Sequence, residues 1–133
     1  TVVMLGDGEL QEGSNWEAVM AATHHAQASL TAIVDCNKIQ QSGRVSEMLD
    51  LGTLGDKWRA FGWAVREIDG HDMAAIVNAL DDLPYAHDKP SLIIAHTIKG
   101  KGTSFAEDTY LWHNNTVTDQ IYQQALDELR ETE

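Results

Sequence analysis

The sequence predicts an α/β fold with three layers, a parallel sheet carrying helices on both faces. Three observations predict it. Short apolar, β-branched runs recur at residues 1–5, 30–34, 63–68 and 91–96. Segments with apolar residues at helical spacing separate them. The ends of the first two runs, near Asp7 and Asn37, lie thirty positions apart, enough for one crossover between parallel neighbours.

Residues 1–5 are a continuous apolar run, as expected of a strand buried on both faces. Gly6-Asp7-Gly8 is a turn, and residues 9–13 form a loop or first turn over the site. The next helix is expected to start near Ser14, which has capping-box spacing to Glu17. Trp16, Val19, Met20 and Thr23 recur along one face of it. Residues 30–34 are the second strand. Residues 37–51 hold few apolar side chains and read as an irregular segment above the sheet edge. Residues 54–61 read as a helix that Gly62 ends, and 63–68 as the third strand. Asp69-Gly70 is a turn. Asp72 caps a helix whose apolar face is Met73, Ile76, Val77 and Leu80. Pro84 and Pro90 bracket a loop before the fourth strand at 91–96. Residues 99–115, with Gly100 and Gly102, are a second irregular segment. Asp119 caps a final helix running through Ile121, Tyr122, Ala125, Leu126 and Leu129. No internal repeat or composition break divides the chain, so residues 1–133 are expected to form one domain. The chain opens at Thr1 inside a strand, without an initiator methionine, and a further segment is expected upstream.

A length of 133 residues suits a single domain, and 43% hydrophobic residues can fill its core. The net charge of −12 argues against nucleic acid or an anionic membrane surface as partner. One cysteine, Cys36, excludes an internal disulfide and suits a reducing cytoplasm. No apolar stretch reaches the roughly 20 residues that cross a bilayer.

The chemistry concentrates where the first two strands end, since open α/β sheets bind ligands at the C-terminal ends of their strands. Asp7 offers a carboxylate and Asn37 an amide oxygen, both hard donors of the kind Mg²⁺ and Ca²⁺ take. Gly6 and Gly8 allow a sharp turn and a close backbone approach to a ligand. Taken singly, each polar residue is also an ordinary turn residue. Cys36 reads as a packed small residue, with no basic neighbour in sequence to make it a nucleophile. Lys99 and Lys101 stand among glycines and are suited either to an anion or to solvent. The Walker spacing is absent around them, so this is not a P-loop. Among the histidines, His24, His25 and His87 have surface or packing roles as the default. His71 reads as structural. His96 ends a strand at the ligand-binding edge, where a satisfied buried histidine and a functional one are both reasonable. His113 follows the glycine-rich loop and is the best placed for chemistry near neutral pH.

Gly6-Asp7-Gly8-Glu9-Leu10-Gln11-Glu12-Gly13, Asn37-Lys38-Ile39-Gln40, Asp69-Gly70-His71-Asp72, His96-Thr97-Ile98-Lys99-Gly100-Lys101-Gly102 and Trp112-His113 together resemble the N-terminal half of a transketolase. They come in that family's order and cover nearly the whole chain. The likeness is greatest to the small two-gene transketolases, whose diphosphate and pyrimidine domains are separate polypeptides.

The resemblance implies thiamine diphosphate as cofactor, with Mg²⁺ between its diphosphate and the protein (Ca²⁺ or Mn²⁺ as substitutes). Asp7, Asn37 and the main-chain carbonyl of Ile39 would be the metal ligands. Gly6, Gly8, Glu9 and His113 would complete the cofactor contacts. His113 would face the cofactor diphosphate and the donor sugar. Glu12 would lie at a subunit interface, directed toward the catalytic glutamate of the partner's pyrimidine domain. That glutamate has no counterpart here, so this chain is expected to hold half of an active site and to work as a dimer or heterotetramer. The reaction implied moves a two-carbon ketol unit from a ketose, free or phosphorylated, to an aldose. The sequence departs from the family after His113, where Asn114-Asn115 replace the usual glycine. Two other readings remain open at this point. One is another thiamine enzyme, deoxyxylulose-phosphate-synthase-like or dehydrogenase-like. The other is a non-catalytic diphosphate-binding subunit.

Overall fold

The computed structural model describes residues 1–131. Four parallel strands form the sheet: β1 (Val2–Gly6), β2 (Thr31–Cys36), β5 (Ala64–Asp69) and β6 (Ser91–His96), in the order β1-β2-β6-β5. Between β2 and β5 lie a small antiparallel hairpin, β3 (Ile39–Gln40) with β4 (Gly43–Arg44), and the helices α2 (Val45–Met48) and α3 (Leu54–Ala60). Helices α1 (Gly13–His24) and α4 (Met73–Asp81) make the β1-to-β2 and β5-to-β6 crossovers, and α5 (Asp119–Glu131) closes the described chain.

The register assigns the two faces. Ala32, Val34, Leu92, Ile94 and Val65 share one of them. They pack there against Leu10, Val19, Ala22, Trp58 and Trp63 as the main core, so α1 and α3 form that layer. Arg66 lies on the other face, where it bonds to Asp82 and the Asn78 carbonyl at the end of α4. The helices therefore cover both faces, as expected.

Tryptophans tie the core layer together. Trp58 is 1% exposed and meets Trp63 edge-on at 4.7 Å. The indole N–H of Trp63 donates to the Val19 carbonyl at 3.0 Å, and that of Trp16 to the Leu10 carbonyl at 2.8 Å. The indole nitrogen of Trp58, by contrast, is buried without an acceptor among the described residues. Trp58→Phe removes that orphan donor, whose burial costs about 1–3 kcal/mol, while leaving a small cavity of comparable cost. Chemical denaturation is expected to find the variant within about 1 kcal/mol of the parent, against a loss of about 3–5 kcal/mol for Trp58→Ala.

Several expectations are corrected. Among the described residues strand β1 pairs only with β2, and Val2, Val3 and Met4 are 62%, 38% and 68% exposed, so these residues alone do not bury it on both faces. An apolar run reports strand propensity, but burial depends on what lies beside and above it. Helix α1 begins at Gly13, after a 3₁₀ turn at Gly8–Gln11, and no Ser14–Glu17 capping box forms. Met20 on its expected core face is 48% exposed. On α4 the Asp72 cap is present, accepting from Ala74 and Ala75. Its core contact is Ala79, however, with Met73, Val77 and Leu80 largely exposed. The α5 start is capped by Thr118, whose hydroxyl accepts from Ile121, and Asp119 is its first residue. Residues 37–51 are also more ordered than expected, holding the hairpin and α2.

Candidate cofactor site

The site is assembled where β1 and β2 end. Asp7 is 4% exposed, and both its carboxylate oxygens accept main-chain N–H groups: Gly8 on Oδ1 at 2.9 Å, Lys38 on Oδ2 at 2.6 Å. Asn37 Oδ1 accepts from the Ile39 N–H at 3.0 Å, and its Nδ2 donates to Asp35 Oδ2 at 3.2 Å. The other Asp35 oxygen takes the Thr97 hydroxyl, so the ends of β1, β2 and β6 are bound into one network. Lys38 has a φ of +67°, a conformation costly for a side-chain-bearing residue. That turn directs consecutive N–H groups, those of Lys38 and Ile39, to Asp7 and Asn37.

Burial pushes the Asp7 carboxyl above its usual range, and the N–H groups of Lys38 and Gly8 pull it back. A cation beside Asp7 would favour the ionised form for the same electrostatic reason. The Cys36 thiol, packed against Asp7, is pushed up to about 11 by burial first and by that carboxylate second. It is therefore a packed thiol at neutral pH, as its sequence neighbours imply, and no nucleophile.

A cavity of about 380 Å³ opens above these residues. Gly6, Asp7, Gly8, Glu9, Asn37, Ile39 and His113 all line it, seven of the eight residues expected in the site. Lys99, Gln40 and Gln41 line it too. Glu9 Oε2 accepts from the Gly6 N–H at 3.1 Å, holding the turn shut. The segment carrying Lys99 and His113 is fastened to the hairpin by Arg44 and Asp108, which pair through both guanidinium nitrogens at 2.8 and 3.3 Å. Asp108 in turn donates its N–H to the Lys99 carbonyl at 2.9 Å. Glu12 does not line the cavity: it is exposed at the N-terminal end of α1. Among the described residues, no three His, Cys, Asp or Glu side chains converge as metal ligands. The donor set at Asp7 and Asn37 is thus oxygen-only and incomplete. It suits Mg²⁺, which keeps oxygen donors from a bound phosphate and from water.

A second cavity, of about 440 Å³, is also lined by Asp7. Val45, Leu54 and Ile94 give it apolar walls, and His96 stands at it, bonded to Glu67 at 3.0 Å. His96 thus has a partner but is exposed, so it is not the buried histidine of the two readings. His71 is structural: its Nε2 accepts the Ile98 N–H at 2.8 Å. Sequence reasoning missed Gln41 and gave no role to Gln40, which entered only as the last residue of the Asn37-Lys38-Ile39-Gln40 stretch.

Known proteins resemble this chain over nearly its whole length. The family described as the transketolase thiamine diphosphate binding domain matches residues 1–129. The chain is 41% identical over 131 residues to an apulose-4-phosphate transketolase subunit from Phocaeicola vulgatus, covering 98% of this chain and 47% of that protein. It is 45% identical over 126 residues to the 6-deoxy-6-sulfo-D-fructose transketolase subunit SqwG of a Clostridium species, covering 95% and 46%. It thus spans about half the length of the curated relatives it matches. The crystal structure of transketolase from Campylobacter jejuni superposes with a TM-score of 0.88 at 30% identity, over 97% of this chain and 20% of that one. The chain belongs to the transketolase thiamine diphosphate binding domain family.

Proposed function

We propose that this chain supplies the diphosphate and metal half of the active site of a transketolase-type enzyme. The observation that carries the reading is the single cavity that gathers Asp7, Gly8, Asn37, Ile39, Lys99 and His113 from four separate stretches of sequence. Asp7, Asn37 and the Ile39 carbonyl would hold Mg²⁺. The buried Asp7 supplies negative charge where a cation needs it, and Lys99 offers positive charge to the diphosphate. A chain of net charge −12 meets a diphosphate in this local way, through a cation and main-chain N–H groups. Bound there, thiamine diphosphate supplies an electron sink for transfer of a two-carbon ketol unit.

The residues of this chain bind and orient. His113, at the cavity mouth and exposed, is placed to donate a hydrogen bond to the diphosphate or to a sugar hydroxyl. Glu12, away from the cavity, would act at the interface with a pyrimidine-domain subunit whose glutamate completes the site. We take the working unit to be a dimer or heterotetramer in the cytoplasm. Two relatives are named as transketolase subunits for apulose-4-phosphate and for 6-deoxy-6-sulfo-D-fructose. With Asn114-Asn115 after His113, a sugar outside the common pentose phosphates is the substrate class we favour.

Calorimetric titration of thiamine diphosphate into the intact enzyme containing this chain tests the reading. Binding is expected with Mg²⁺ present and to be lost when a chelator removes the metal. Binding that is indifferent to metal, or absent from the folded complex, would exclude the site.

A further inference from the structure

We propose that Gln40 is a positioning residue for the metal, its side-chain oxygen accepting a hydrogen bond from a water molecule carried by the ion. The inference rests on the diphosphate–metal reading of the cavity and extends it to a residue the sequence did not single out. Gln40 is the second residue of β3, directly after Ile39, and lines the same cavity. Its Oε1 is buried, and among the described residues it has no hydrogen-bond partner. Buried acceptors in folded proteins are nearly always paired, so an unpaired one calls for a ligand or water.

The root of the Gln40 side chain packs on Gly8. It lies against Gly8 so closely that a Cβ on Gly8 would fall 2.8 Å from Gln40 Cβ and 3.3 Å from Oε1. The main-chain donors around it are committed: Gly8 and Lys38 N–H groups to Asp7, the Ile39 N–H to Asn37. Lys99 and Gln41 line the same cavity and carry donors, yet neither bonds to this oxygen, so we take the donor to arrive with the ligand. An ionised diphosphate offers only acceptors and would be repelled by a carbonyl oxygen. Water on a divalent cation is different: the ion polarises its O–H bonds and makes it a strong donor. Mg²⁺ gives up its waters reluctantly and usually keeps several. A group that orients such a water contributes to metal affinity without touching the metal, as outer-sphere partners commonly do.

The test is calorimetric titration of Mg²⁺ into the intact, metal-free complex at saturating thiamine diphosphate, for the parent, Gln40→Leu and Gln40→Glu. Gln40→Leu is expected to weaken Mg²⁺ binding about tenfold. Gln40→Glu, which keeps an acceptor at this place, is expected to restore it. The melting temperature of the metal-free complex should not fall in Gln40→Leu, since that variant removes an unpaired buried oxygen; a purely structural role would lower it. Should Gln40→Leu fail to assemble, Gln40→Met, of similar length and equally without an acceptor, takes its place. Unchanged Mg²⁺ affinity in a folded variant overturns the proposal. Unchanged Mg²⁺ affinity with a raised KM for the donor sugar overturns it too, and assigns the oxygen to a sugar hydroxyl. If the parent itself shows no Mg²⁺-dependent binding, the underlying cavity reading falls along with this one.

Discussion

Asp7→Ala is expected to abolish metal-dependent binding of thiamine diphosphate, lowering affinity at least about a hundredfold. The expectation follows from how much converges on one side chain. Among the described residues, Asp7 is the only buried carboxylate lining the cavity, and it sits between two main-chain N–H groups. Removing it takes away the negative charge that would offset a divalent cation, and a buried charged contact of this kind is worth several kcal/mol when one partner is deleted. It also frees the N–H groups of Gly8 and Lys38. Each becomes an unpaired donor at about 1–3 kcal/mol where water cannot reach it, and the costly Lys38 turn loses one of its two anchors. Asp7→Asn separates the two effects. It keeps the shape and one acceptor but removes the charge and sets an amide NH2 against one of the two N–H groups, so it should melt lower than the parent, though less so than Asp7→Ala, and still bind metal poorly. The measurement is thiamine diphosphate titration with Mg²⁺ alongside thermal denaturation. Retention of metal-dependent affinity in Asp7→Asn would show that Asp7 acts only as a turn residue.

What the sequence disclosed and what it withheld divide along a physical line. The turn at Gly6-Asp7-Gly8 and the Asn37 step were legible because their geometry is made locally, by hydrogen bonds between neighbours such as Asn37 and Ile39. Strands β2 and β6 were legible because they are central, and a strand buried on both faces reads as an unbroken apolar run. The same run at residues 1–5 has a single pairing partner among the described residues, and composition alone does not tell such a strand from a central one. The α4 face misled for a related reason. Helical spacing finds the apolar stripe, but the tight contact with the sheet is made by Ala79, and the larger Met73 and Val77 stand aside. Glu12 could not be placed from sequence alone, because its proposed role depends on a surface of another chain. The proposed role of Gln40 was invisible because its significance is an unpaired atom, and only a three-dimensional structure reveals which polar groups have gone without partners.

The glycines of the first motif make the same point in a form that can be measured. All three look alike in sequence, yet a methyl group meets different surroundings at each. At Gly13 nothing lies within 4 Å of it, and at Gly6 the nearest atom, Glu9 Cβ, is at an ordinary 4.0 Å. At Gly8 the methyl would fall 2.8 Å from Gln40 Cβ and 3.8 Å from its Cα. Those atoms belong to the root of a side chain on a two-residue strand, so relief requires moving β3 itself. Moving β3 displaces the Ile39 carbonyl, which we assign to the metal, and the Gln40 oxygen, which we assign to a water on it. Gly8→Ala is therefore expected to weaken Mg²⁺-dependent binding of thiamine diphosphate by about tenfold or more, since active sites tolerate misplacement of about 1 Å poorly. A lower melting temperature should accompany it. Gly13→Ala is the control. It sits at the start of α1 in open space, and alanine favours a helix over glycine by about 0.4–1 kcal/mol. That variant should bind as the parent does and melt no lower. Were Gly8→Ala to bind like Gly13→Ala, the hairpin would have room to move without disturbing the ligand. The close packing of Gly8 on Gln40 would then have no part in holding the metal.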